Sequence, residues 1–572
     1  MKASDYIAEF LEKKGVTCIF ELSGGMITHL LDSISQKTKI NIVTMHHEQS
    51  AAFAADTFGR VTGIPGVAMA TSGPGATNLL TGIASCYFDS SPAVFITGQV
   101  NRHEQKGDRG IRQLGFQETD IVTMAKPITK AAFLVNNPDD IPAIFEEAFR
   151  IATEGRPGPV LIDLPMDVQR TQIEAAKIPA NVPPDNKIAE SDLLNLVNDI
   201  KQAKRPLILV GRGIKASHTQ QQLDNFIAHA KIPVITTLLA LDTIAANDDM
   251  RVGFIGSYGN RWANIAFGEC DMLIVLGSRL DIRQTGADTK FIENRKIYHV
   301  DCDEAEINNR IKGCVAMVTT LPAFFEQFNN IAAQVSFIKP EKWLTYIAEL
   351  KEKWPDTTEL KPKGINPNVL MHQLSEVSSA AAVYLADVGS HQMWAAQSLQ
   401  LNKGQLFLTS GGMGAMGFSL PGGIGACIAT GKKPVVVIIG DGCMQLNIQE
   451  LQTVVRNKLP VKIIVFNNQT LGMIRQFQDS YFESRYQSTY WGYDTPDFEK
   501  VAVAYGIVSK TIITPEEGQA AVAWMWNDEN HDKPVVLQVM IDPHTNTYPK
   551  LAFGKPITEM EPFSTPLGME ST

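Results

Sequence analysis

Two apolar runs in the last third of the chain, each closed by a polar motif, constrain the fold most. The first reads Pro434-Val-Val-Val-Ile-Ile and ends in Gly440-Asp441-Gly442; the second reads Val461-Lys-Ile-Ile-Val-Phe and ends in Asn467-Asn468. About 24 residues, 443 to 466, separate the motifs, room for the crossover helix of a βαβ unit. Strands connected this way run parallel. Both polar endings then fall at strand carboxyl ends, where open α/β sheets bind ligands. Asp441 and Asn468 offer hard oxygens suited to Mg²⁺ or Ca²⁺. The glycines let backbone N–H groups approach a diphosphate. A lone Gly-Asp-Gly is only a tight strand-to-helix turn; the full spacing is far more specific.

Strand-like runs alternate with helical patterns elsewhere too: Ile40-Asn-Ile-Val-Thr, Gly66-Val-Ala-Met-Ala-Thr, Ala93-Val-Phe-Ile-Thr and Val160-Leu-Ile-Asp-Leu, then Pro206-Leu-Ile-Leu-Val, Pro233-Val-Ile-Thr-Thr, Met272-Leu-Ile-Val-Leu and Lys296-Ile-Tyr-His-Val. The alternation predicts α/β architecture, parallel sheets covered by helices. Proline-bearing polar stretches at 177–187 and 354–367 read as linkers. They divide the chain into three consecutive Rossmann-like, doubly wound parallel-sheet domains at 1–176, 188–345 and 365–550. A C-terminal tail, 551–572, follows; the stretch after Asp542, rich in Pro, Thr and Gly, is expected to fold over a site as a lid. The three units are similar in size but show no clean sequence repeat.

The net charge of −10 leaves no basic stripe for nucleic acid. No apolar stretch reaches 18 residues, so no membrane span is expected. The N-terminus is an amphipathic helix with Ser4 or Asp5 as candidate cap. Its acids lie inside the apolar stretch, unlike a signal peptide. Seven scattered cysteines without metal-ligand spacing predict buried, reduced thiols and a cytoplasmic protein.

Four further segments carry chemistry. His47-Glu48-Gln49 follows a strand and puts a carboxylate at a helix start. Thr71-Ser-Gly-Pro-Gly-Ala-Thr-Asn78 is an anion loop or a sharp turn. The third domain adds Asp387-Val-Gly-Ser-His-Gln-Met-Trp394 and Ser410-Gly-Gly-Met-Gly-Ala-Met-Gly417. Ser390 and His391 are placed to reach diphosphate oxygens. Met416, by itself a core filler, sits in a glycine-bounded turn.

Together these segments resemble the thiamine diphosphate-dependent acetolactate synthase family over nearly the whole chain. The resemblance implies that Glu48 hydrogen-bonds N1′ of the cofactor's aminopyrimidine and activates it, an acid tuning a cofactor. It implies that Asp441, Asn468 and the Thr470 backbone oxygen hold Mg²⁺, that Met416 wedges beneath the cofactor, and that Phe116 and Gln117 are catalytic, Gln117 orienting the intermediate. It places cofactor contacts at Gly25, Thr71, Gly73, Asn78, Val388, Gly389, Ser390, His391, Gly414, Gly440, Gly442, Cys443 and Met473. The central domain resembles the family's FAD-holding domain through Val210-Gly-Arg-Gly213, Gly277-Ser-Arg-Leu-Asp-Ile-Arg283 and His299-Val-Asp-Cys-Asp303. It implies FAD contacts at Arg156, Gly211, Gly213, Arg279, Arg283 and Asp301, the last suited to ribose hydroxyls. A central domain without nucleotide is the alternative.

The departures from the family pattern cluster. Met166 stands where a lysine is usual, Ser257-Tyr258 where Met-His is usual, and Phe477 where tryptophan is frequent. The resemblance puts all of them around the mouth that takes the acceptor. Gly107-Asp-Arg-Gly-Ile-Arg-Gln-Leu-Gly115 is similar to a subgroup of branched-sugar carboligases, as in yersiniose formation. The expected activity is therefore decarboxylation of pyruvate and transfer of its two-carbon hydroxyethyl unit to an acceptor carbonyl, a ketone or nucleotide-linked keto sugar, with non-redox FAD. An acetolactate synthase using a second 2-keto acid stays open, as does a flavin oxidoreductase of the pyruvate oxidase type. A simple decarboxylase is a further alternative, with His46-His47 read as packing; a noncatalytic relative would lack Glu48. The resemblance also implies a homodimer or homotetramer with sites built from two chains.

Overall fold

The computed structural model describes residues 1–174, 186–287 and 295–568. Most of the expected first linker and the tail's last four residues lie outside them. Strands β1 (Cys18–Leu22), β2 (Asn41–Thr44), β3 (Gly66–Ala70), β4 (Ala93–Gln99), β5 (Ala131–Leu134) and β6 (Pro159–Pro165) form the first sheet. The second holds β7 (Pro206–Val210), β8 (Val234–Thr236), β9 (Arg251–Phe254), β10 (Met272–Leu276), β11 (Lys296–Asp301) and β12 (Val315–Val318). The third holds β13 (Val383–Ala386), β14 (Leu406–Thr409), β15 (Val435–Gly440), β16 (Val461–Asn467), β17 (Val508–Ile512) and β18 (Val535–Met540). All three are six-stranded and parallel, as β15 beside β16 illustrates. Every residue of those two strands is buried, as expected of a parallel sheet covered on both faces.

The first sheet runs β2-β1-β3-β4-β6-β5, and the third runs β14-β13-β15-β16-β18-β17. Counted from their own first strands, these orders are identical, so the two domains share a topology that their sequences do not display. The second runs β12-β11-β10-β7-β8-β9, the 3-2-1-4-5-6 order of dinucleotide-binding sheets.

First and third domains pack through the helices Glu48–Thr62 and Ser419–Ala429. One apolar core runs through both, with Phe53 edge-on to Phe418 at 5.3 Å. Thr57 Oγ1 donates to Gly422 O at 2.7 Å. A buried ion network ties in the second domain. Arg60 pairs with Asp56 and Asp89 and donates to Thr409 O. Asp89 accepts the N–H groups of Gly411 and Gly412, and Arg212 donates to Asp89 O.

Several local expectations change. The first helix starts at Ala3 with Lys2 as N-cap. Ser4 and Asp5 lie within the helix, with Ser33 Oγ 2.8 and 2.7 Å from their side-chain oxygens. Their polar groups serve the neighbouring helix, not the cap. The expected boundary at 345 falls inside the helix Glu341–Lys353, whose Trp343 and Ile347 are buried in the second domain's core. The segment 354–367 is a packed connection, because Glu359 pairs with buried Arg261 and Leu360 and Ile365 enter the third domain's core. The tail is fastened to the second domain. A hairpin of β19 (Lys550–Leu551) and β20 (Met560–Glu561) gives two carbonyls to Arg261. Six of the seven free thiols are buried; Cys302 is exposed. Among the described residues no helix is long and apolar enough to cross a membrane.

Candidate active site

In an open α/β sheet the crevice lies where the strand order reverses. In the third sheet that point is between β13 and β15. β13 runs into Asp387-Val388-Gly389-Ser390, and β15 into Gly440-Asp441-Gly442. Asn468 and Thr470 follow β16, the next neighbour. The side-chain amide of Asn468 lies 2.7 Å from Thr470 O and 3.2 Å from Asp441 Oδ2, close enough to donate its N–H to both. Gln469 between them holds φ 53°, a left-handed conformation uncommon outside glycine and characteristic of strained functional segments. Burial pushes the Asp441 carboxyl up to about 6. The donor set fits a hard divalent cation.

The glycine loops complete the crevice. His391 lies beneath Gly389 and Gly440 and accepts Gly440 N–H through Nε2. Burial holds this imidazole neutral, pushing it down to about 3. A Cβ on Gly442 would lie 2.9 Å from Leu471 Cδ2, 3.0 Å from Tyr493 Oη and 3.3 Å from Met416 Cε, while Gly472 faces Ser390 Oγ at 3.0 Å. Met416 thus borders the slot over Gly442. Ser390 Oγ is buried without a partner, a donor free for a ligand. Gly414, at φ 66°, approaches Val388, and Met473 begins the helix wall beside Gly472. Asp387, His391 and Cys443 cluster, but Asp387 accepts the N–H groups of Val388, Gly417 and Ser419 and Cys443 donates to Val388 O. Those bonds hold the loops together.

The first sheet reverses between β1 and β3, which end at Gly24-Gly25 and at Thr71–Asn78. Met26 N donates to Thr71 Oγ1 at 3.3 Å. Glu48 opens the helix Glu48–Thr62, capped by His47, whose Nδ1 accepts Gln49 N–H. Its buried carboxylate accepts Asn78 Nδ2 at 2.9 Å. Gln117, at φ 64°, packs against Gly73. The fold therefore gathers Glu48, Thr71, Gly73, Asn78, Gln117 and, at the rim, Gly25. Phe116, beside Gln117, is 82% exposed.

The second sheet reverses between β7 and β10. Gly211 N donates to Leu276 O and Gly213 N to Gly277 O. A side chain on Gly211 would meet Gly277 O at 2.2 Å. A cavity of about 420 Å³ opens there. All six residues expected to hold a nucleotide, Arg156, Gly211, Gly213, Arg279, Arg283 and Asp301, line it, beside Tyr258 and Gly412. Arginines, close glycine backbones and a half-buried carboxylate, Asp301, fit a dinucleotide.

Among the described residues no hydrogen bond joins Glu48 to the Asp441 group. Around these regions one chain exposes Phe116, Leu114, Leu446, Ile474 and Trp491. Sequence reasoning missed Tyr493, whose hydroxyl donates to Asp441 Oδ1 at 3.2 Å. Its only signal was an aromatic run, Tyr490-Trp491-Gly492-Tyr493, without periodicity.

Comparison with known proteins gives consistent matches. Residues 1–124 match the family model described as thiamine pyrophosphate enzyme, N-terminal TPP binding domain. Residues 193–328 match the central domain, and residues 387–539 the C-terminal TPP binding domain. The chain is 36% identical over 560 residues to the acetolactate synthase isozyme 2 large subunit of Escherichia coli K12, covering 98% of this chain and 99% of that one. It is 37% identical to a probable acetolactate synthase large subunit of Methanocaldococcus jannaschii, covering 95% and 92%. It is 36% identical to the acetolactate synthase large subunit of Corynebacterium glutamicum, covering 98% and 90%.

Proposed function

Because the chain belongs to the acetolactate synthase-like family of thiamine pyrophosphate enzymes, we propose that it decarboxylates pyruvate and transfers the two-carbon unit to an acceptor carbonyl. The observation that carries this reading is the convergence of the Asp441 carboxylate, the Asn468 amide and the Thr470 carbonyl at the reversal of the third sheet. Asp441 Oδ2, Asn468 Oδ1 and Thr470 O would hold Mg²⁺, and the Gly389–Ser390 and Gly440–Gly442 turns would take the diphosphate. When bound, the cofactor supplies a nucleophilic thiazolium carbon that accepts the 2-oxo acid and lets CO₂ leave. Glu48 would hydrogen-bond the aminopyrimidine nitrogen and move a proton there, and Asn78 orients its carboxylate. Gln117, pinned against Gly73, reaches the reacting carbonyl. Met416 supports the cofactor from below. The central cavity would take FAD, its arginines suited to the phosphates and Asp301 to a ribose.

The acceptor is a neutral ketone or keto sugar nucleotide. Met166, half-buried at the start of the helix Met166–Gln169, carries no charge for a carboxylate. Tyr258 lines the central cavity, and Phe477 packs against Tyr481 with ring centroids 4.8 Å apart. One or two changed contacts are worth about 1–3 kcal/mol, roughly 10- to 200-fold in selectivity. Mass spectrometry of products from ¹³C-pyruvate, offered with equal 2-oxobutyrate and keto sugar nucleotide, tests the reading. The neutral acceptor's product should dominate; dominant acetolactate-type products would establish the 2-keto acid reading. Bleaching of the flavin on adding pyruvate would instead indicate oxidoreductase chemistry.

A further inference from the structure

We propose that Tyr493 is a positioning residue for the cation ligand Asp441, confining that carboxylate to one metal-facing oxygen and so setting the site's preference for Mg²⁺ over Ca²⁺. The proposal rests on the thiamine diphosphate reading of the third domain. The two oxygens of Asp441 have different surroundings. Oδ1 accepts two hydrogen bonds, from Gly442 N at 2.6 Å and from Tyr493 Oη at 3.2 Å. Oδ2 lies 3.2 Å from the Asn468 side-chain amide, which also reaches Thr470 O at 2.7 Å. Gly442 and Tyr493 hold one oxygen, and the other is turned toward the Asn468–Thr470 segment. A ligating carboxylate whose second oxygen is tied by outer hydrogen bonds is oriented by them.

The tyrosine is delivered by a strap fastened to the same ligand segment. The carbonyl of Thr489 accepts Thr470 Oγ1 at 2.7 Å and Leu471 N at 3.0 Å. Ser488 N donates to Trp491 O at 3.0 Å, which turns the strap back before Tyr493. The strap thus grips the Thr470–Leu471 ligand segment at Thr489 and the Asp441 turn at Tyr493. The Tyr493 hydroxyl also lies 3.0 Å from where a Gly442 Cβ would stand, so glycine there leaves the approach open.

The consequence is a choice of coordination. Mg²⁺ demands near-octahedral geometry with short bonds and takes one oxygen per carboxylate readily; Ca²⁺ tolerates bidentate carboxylates and higher coordination numbers. Tying Oδ1 blocks the bidentate mode. Tyr493→Phe keeps the ring, removes one hydroxyl and frees Oδ1 from its side-chain donor. Titration of metal-free protein with thiamine diphosphate at graded Mg²⁺ or Ca²⁺, followed by calorimetry, reads the effect without turnover. Loss of an outer-shell partner typically weakens metal binding about 10- to 100-fold. The variant should lose Mg²⁺ affinity within that range and lose less for Ca²⁺, raising the Ca²⁺:Mg²⁺ affinity ratio. A merely structural role would lower both affinities together, and an unchanged ratio overturns the proposal. Failure of the parent protein to bind thiamine diphosphate with either cation overturns the cofactor reading and this assignment together. Equal affinities in parent and variant overturn this assignment alone.

Discussion

At the scale of single residues, Glu48 is a buried acid with one named partner, Asn78. Glu48→Gln preserves the shape and can still accept that hydrogen bond, but it cannot share a proton with the cofactor. Exchange of the thiazolium C2 proton should slow about 100- to 10,000-fold, the usual range for a positioned acid–base group, while cofactor affinity holds. Unchanged exchange by NMR would remove Glu48 from that role. A second carboxylate makes a prediction about pH. Asp163 is buried, accepting Thr97 Oγ1 at 2.7 Å and Gln99 Nε2 at 2.9 Å, and burial pushes its carboxyl up to about 7. Its unfolded value is about 3.9. Between these values the folded state holds a proton that the unfolded chain releases. The contribution to stability is full below about pH 4 and is lost as pH rises through about 7, a change of a few kcal/mol at most. Asp163→Asn should flatten that slope, so denaturant midpoints of variant and parent should diverge between pH 5 and pH 8. Parallel curves would show that Asp163 does not titrate there.

At the scale of elements, the contact between the helices Glu48–Thr62 and Ser419–Ala429 depends on a missing side chain. A Cβ on Gly425 would lie 2.1 Å from Ala54 O and 2.5 Å from Thr57 Oγ1. Gly425→Val should force the helices apart and cost about 1–3 kcal/mol or more, the range for overpacking; an unaltered thermal midpoint would mean that the interface yields freely. The same elements show what was legible in sequence. Strands β15 and β16 were readable because burial on both faces writes uninterrupted apolar runs, and their polar endings mark strand ends. The cap of the first helix was not, because Ser4 and Asp5 are good capping residues whose choice is decided by Ser33 on the next helix. The packed state of 354–367 depends on Arg261, about a hundred positions away, and Tyr493 meets Asp441 only through the strap. The matching strand orders of the first and third sheets left no repeat because topology constrains burial pattern and loop length, not residue identity.

At the scale of the whole molecule, the gathered Glu48 group and Asp441 group belong to different domains. The apolar side chains left exposed beside them, Phe116 at 82% and Ile474 at 54%, are what a second copy would cover. A homodimer whose sites draw Glu48 from one chain and Asp441 from the other is the expected assembly. Glu48→Gln and Asp441→Ala proteins, each inactive, should regain part of the activity when mixed under subunit exchange. Heterodimers that form without recovering activity would assign each site to one chain.

The buried helix Glu48–Thr62 has a temporal consequence. Its partner surface around Gly425 is encoded about 370 positions after Ala54. At about 5–20 residues per second of synthesis, the first domain waits on the order of 20 to 70 seconds with that apolar face uncovered. The nascent chain is therefore sticky long before it is complete, and an amino-terminal fragment released early carries the same bare face.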